Sequence, residues 1–121
     1  MFHGRKIYRY RFVRSFADLK NTVMDVMTRG GLEGRVIEES HMQYMRNLYK
    51  TVKGKYVYVF DTKNINETNP WGVGEMAAIE SSYNVKINYY PIAKIVVIVS
   101  DERIMNPLSL YGKIVSVFEK V

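Results

Sequence analysis

Two stretches of this chain are apolar without interruption, Tyr56-Val57-Tyr58-Val59-Phe60 and Ile95-Val96-Val97-Ile98-Val99, and they constrain its fold more than any other feature. Successive side chains of a strand point to opposite faces, so a β-branched and aromatic run without a polar residue needs cover on both sides. Both runs therefore read as buried central strands, the first ended by Asp61. A chain of 121 residues, 47% of them apolar, can bury one core of this kind but not two. It is expected to form a single α/β domain over residues 1–121.

The flanking segments carry helical or strand periodicity. Residues 6–13 alternate basic side chains with Ile7, Tyr8, Tyr10, Phe12 and Val13, the pattern of a strand with one face more exposed. Ser15 stands three residues before Asp18, a capping-box start, and Phe16, Leu19, Val23, Val26 and Met27 follow as one apolar stripe. Residues 32–39 read as a weak or edge strand. Ser40 with Gln43 repeats the capping pattern ahead of Met45, Leu48, Tyr49 and Val52, and Lys53-Gly54 stops that helix. Residues 63–70, rich in Asn and Thr, form a loop. A short small-residue helix follows from Glu75 to a stop at Asn84, and residues 85–90 alternate as a strand that Pro91 breaks. Asn106 as N-cap and Pro107 at the first helical position open the last helix, with Leu108, Tyr111, Val115 and Phe118 on its inner face.

Strands alternating with helices predict a three-layer sandwich around a mostly parallel, flavodoxin-like doubly wound sheet, because parallel neighbours need crossover connections. The competing arrangement is a ferredoxin-like α+β sandwich in which residues 85–90 and 95–99 pair as a hairpin around Pro91.

Several chemistries drop out on composition. The chain has no cysteine, which removes disulfides, thiolate metal sites and cysteine nucleophiles. His3 and His41 are its only histidines and do not share a metal-binding spacing, so no metal site is expected. No run approaches the roughly 18 apolar residues that span a bilayer, and the amino terminus lacks the apolar stretch of a secretory signal. A cytoplasmic protein without a membrane partner is the expectation. The formal charge of +6 gathers near the amino terminus in Arg5, Lys6, Arg9, Arg11 and Arg14. That basic strand suits an anionic partner such as nucleic acid, although solvated strand positions produce the same pattern.

In a parallel sheet, ligands bind beyond the carboxyl ends of the strands. Asp61, the loop after it, and Trp71-Gly72-Val73-Gly74-Glu75 should gather there. Gly72 and Gly74 would let the backbone approach a ligand closely, and the helix beginning near Glu75 offers unpaired amides to phosphate or sugar oxygens. Trp71 could wall a base by stacking, or simply anchor the packing. A carboxylate in the first turn of a helix is also favoured by the helix dipole without any ligand.

The run Gly72-Val73-Gly74-Glu75-Met76-Ala77-Ala78-Ile79, followed by an apolar strand and then Asn106-Pro107-Leu108, resembles the nucleoside 2-deoxyribosyltransferase family. The resemblance covers the second half of the chain. It implies a doubly wound parallel sheet, no cofactor, and transfer or hydrolysis of the N-glycosidic bond of a nucleoside or nucleotide. It makes Glu75 the nucleophile and places Asn106 near the substrate. Subunits of that family complete one another's sites, which implies a homo-oligomer. On this reading Glu75 attacks the anomeric carbon in a retaining displacement, and Asp61 protonates the leaving base. The alternatives are a non-catalytic nucleotide- or nucleic-acid-binding module, in which Tyr8, Tyr10 and Phe12 stack bases while arginines neutralise phosphates, or a protein-interaction domain.

Overall fold

The computed structural model describes residues 8–27, 39–62, 73–90 and 93–119. In chain order the elements are β1 (Tyr8–Phe12), α1 (Phe16–Met27), α2 (Glu39–Val52), β2 (Tyr56–Asp61), α3 (Val73–Tyr83), β3 (Lys86–Tyr90), β4 (Ile95–Ser100) and α4 (Pro107–Glu119). The weak strand expected over 32–39 and the loop over 63–70 fall outside the described residues, except that Glu39 opens α2.

The four strands form one sheet in the order β1-β2-β4-β3. Every neighbouring pair is antiparallel. This corrects the expected mostly parallel, flavodoxin-like doubly wound sheet. Among the described residues α1 and α2 stand between β1 and β2, and β2 runs opposite to β1. β3 returns directly into β4 as a hairpin, with Lys94 in the left-handed region at φ 60°. β2 and β3, joined through α3, run the same way with β4 between them, as do β1 and β4 with β2 between them.

The two apolar runs became the central strands β2 and β4, and both faces are covered. Val57, Val59, Ile95, Val97 and Val99 pack against Leu19, Val23 and Val26 of α1 and Met45, Leu48 and Val52 of α2. Tyr58, Phe60, Val96 and Ile98 pack against Met76 of α3 and Leu110, Tyr111, Ile114 and Phe118 of α4. The ferredoxin-like alternative foresaw the β3–β4 hairpin, but α+β folds of that kind gather their helices on one face. On α4 the buried stripe includes Leu110 and Ile114, whereas Leu108 lies half exposed.

Local signals set the helix ends. Asp18 N–H donates to Ser15 Oγ at 3.2 Å, and Asp18 Oδ2 accepts the amides of Ser15 at 3.1 Å and Arg14 at 2.8 Å. This is the reciprocal capping box. Those bonds, led by the Arg14 amide, hold the Asp18 carboxyl below its ordinary range against an opposing contribution from burial. At the far end of α2, Gly54 adopts φ 78°, a conformation costly for any residue with a Cβ. Its amide donates to Val13 O at 2.8 Å, joining the turn to the exit of β1. α3 closes with Asn84 at φ 56° and the Val85 amide donating to Glu80 O at 3.0 Å.

Candidate functional site

The residues expected to form a glycosidic site are distributed as follows. Glu75 sits exposed in the first turn of α3. Asp61 ends β2, where strand alternation puts its side chain with Val57 and Val59 on the α1–α2 face. α3 lies on the opposite face with Met76. The sheet thus stands between the two elements that were to bring nucleophile and acid together. Gly74 faces open space, so no close approach by the protein requires a glycine there. Trp71 and Gly72 lie outside the described residues. Asn106 caps α4, its Oδ1 accepting the Ser109 amide at 3.1 Å.

A different set of residues does converge. Among the described residues β1 lies at an edge of the sheet, and its alternate side chains serve two purposes. Arg9 pairs with Asp25, and Arg11 with Asp18 at 2.8 Å, both acids standing on α1. These two arginines are spent on docking α1, and Arg5 and Lys6 lie outside the described residues. Tyr8, Tyr10 and Phe12 occupy the other face, opposite Phe60, Tyr58 and Tyr56 in the β1–β2 register.

The result is an aromatic layer two strands wide. Tyr8 stacks on Phe60 with centroids 4.7 Å apart, and Phe60 stacks in turn on Tyr111 at 4.3 Å and 3°. Tyr10 lies 4.9 Å from Tyr58 and parallel to Tyr56 at 6.0 Å, while Phe12 meets Tyr56 edge-on at 5.0 Å. Such cross-strand ring pairs contribute up to about 1 kcal/mol each to holding an edge strand. The β2 rings Tyr58 and Phe60 are buried beneath the helices. The β1 rings are not. Tyr8 and Phe12 are half-buried, Tyr8 packing against the cluster that holds Leu110 and Tyr111 of α4, and Tyr10 is 37% exposed.

Two guanidinium groups stand over this open layer. Arg103 Cζ lies 5.2 Å from the Tyr10 centroid, and Arg14 Cζ lies 5.0 Å from that of Phe12. Arg103 comes from the turn after β4, which is pinned at two points. Ser100 Oγ accepts the Glu102 amide at 3.1 Å, and the Tyr58 hydroxyl accepts the Ile104 amide at 2.9 Å. Burial raises the Tyr58 phenol above its ordinary pKa, with the Ile104 amide opposing, so the acceptor is a neutral hydroxyl at physiological pH. Tyr8, Tyr10, Arg103, Ile104, Met105 and Pro107 border a groove of about 420 Å³ at this place. Met105, 97% exposed, forms its rim.

Sequence reading identified the β1 rings and Arg14 but missed Arg103, Met105 and Tyr58. Nothing in the local pattern of residues 101–106 marks them. The β1–β2 and β2–β4 pairings together bring that turn beside Tyr10. Among the described residues no group of acids and histidines is arranged to hold a metal ion, and no helix is long and apolar enough to cross a membrane. No family model matches the chain, and comparison with curated proteins and with solved structures likewise gives no match.

Proposed function

We propose that this chain binds nucleic acid or nucleotides through the ring face of β1, without catalysis. The observation that carries this reading is the placement of three partly exposed rings at alternate positions of β1, with Arg103 over Tyr10 and Arg14 over Phe12. A nucleotide offers the π-face of its base to the rings and its phosphate to the guanidinium groups, and the formal charge of +6 favours encounter with a polyanion.

The energies favour exchange of partners at this surface. A solvent-exposed cation–π contact is worth about 0.5–1 kcal/mol. Stacking a base on an aromatic side chain is worth about 1–3 kcal/mol. A base that displaces Arg103 from Tyr10 therefore gains more than it loses, and the freed guanidinium can pair with the adjoining phosphate.

Fluorescence anisotropy of a labelled oligonucleotide tests the proposal. Binding should weaken as salt rises, and Tyr10→Ala should cost about 1–3 kcal/mol of affinity. Binding that ignores both salt and Tyr10 would refute it. The glycosidic reading is separated by chromatography: free base released from deoxynucleosides by the wild type but not by Glu75→Gln would make Glu75 a nucleophile and replace the binding reading.

A further inference from the structure

Resting on that reading, we infer that the ligand is a single strand of nucleic acid laid in extended form along β1, one base to each of Tyr8, Tyr10 and Phe12, and neither a duplex nor a free nucleotide. Alternate residues of a strand are about 6.6 Å apart. Bases in a duplex rise only about 3.4 Å, so consecutive stacked bases cannot each meet a ring. A single strand whose bases have come apart can open to the larger repeat, as strands do on aromatic platforms.

The rings also lie on the face of a sheet rather than on a helix or ribbon that projects. A projecting element is what enters the major groove of a duplex, where base edges are exposed. Here a base must leave its own stack to present a face to Tyr10. A free nucleotide could use one ring but would leave the other two empty.

The cations agree with a short strand. Arg14 at the Phe12 end and Arg103 beside Tyr10 are placed to meet separate phosphates, whereas Arg9 and Arg11 are held by Asp25 and Asp18 on the other face. Two phosphate contacts on a single strand give a log–log salt slope of about −1.4, and loss of one arginine should reduce it by about 0.7.

The test uses labelled oligothymidylate and oligouridylate of increasing length, the same probes annealed to their complements, and thymidine monophosphate as competitor. Affinity should climb by at least about fivefold with each nucleotide up to three and then level off. Annealing should abolish most of it, and the monophosphate should compete poorly. Tyr10→Leu, which keeps apolar bulk but lacks a π-face, should flatten the climb, and Arg103→Gln should reduce the salt slope. Binding by either sugar form in this pattern supports the inference, and the stronger of the two identifies the sugar. Duplex binding as tight as single-strand binding, or affinity already complete with the mononucleotide, would overturn the single-strand inference while leaving a nucleotide-binding surface in place. No binding by any probe would overturn both.

Discussion

Replacing Tyr58 by Phe removes one oxygen and probes how the binding face is assembled. The ring stays, with its contact to Tyr10 at 4.9 Å and its place in the core against α4. The bond from the Ile104 amide, 2.9 Å long, is lost. A hydrogen bond of this kind contributes about 0.5–1.5 kcal/mol net, and an orphaned buried donor costs about 1–3 kcal/mol. Ile104 is only partly buried, so water can take over much of the amide's demand, and about 1 kcal/mol is the expected loss. For a chain of this size that corresponds to a fall in Tm of roughly 3–6 °C. Tyr56→Phe is the control, since its ring also belongs to the aromatic layer but its hydroxyl anchors no backbone amide; its Tm should hardly move. Hydrogen exchange at the Ile104 amide should accelerate in Tyr58→Phe alone, and oligonucleotide affinity should drop because Arg103 is no longer held over Tyr10. Equal melting and equal exchange in the two variants would show that Tyr58 does not pin the turn.

Further consequences can be checked in the same way. Phe60→Ala removes the middle ring of the Tyr8-Phe60-Tyr111 stack from a fully buried position and should cost about 3–5 kcal/mol in denaturant unfolding. Gly54→Ala forces a Cβ into φ 78°, although the space around it is open, and should cost about 1 kcal/mol. The depressed Asp18 carboxyl stabilises the fold above the ordinary carboxylate pKa of about 4. Stability should therefore decline as pH falls from there through the lower folded value, and an acid titration of Asp18→Asn should lack that share of the decline.

Much of the scaffold was legible because local chemistry announced it. Ser15 and Asp18 mark a helix start that forms as the capping box requires, Gly54 marks a stop, and the two apolar runs are the central strands. Strand direction was not legible. An apolar run buried on both faces looks the same whether its neighbours run parallel or antiparallel, and direction appears only in the pairing of β1, β2, β4 and β3. The expected site rested on that direction. A parallel sheet would have gathered Asp61 and Glu75 at one crevice, whereas the antiparallel sheet sets Asp61 and α3 on opposite faces. The same sheet makes β1 an edge, so that its arginines and rings separate by alternation into a docking face and an open face. Arg103 reaches that face only through the tertiary turn after β4, which no local pattern records.

The most direct test is to add a short single-stranded oligonucleotide to isotope-labelled protein and follow backbone amide shifts. The account predicts movements centred on Tyr8, Tyr10, Phe12, Arg103, Ile104 and Met105, with α2 unmoved. Shifts centred on Glu75 and Asp61, or none at all, would contradict it.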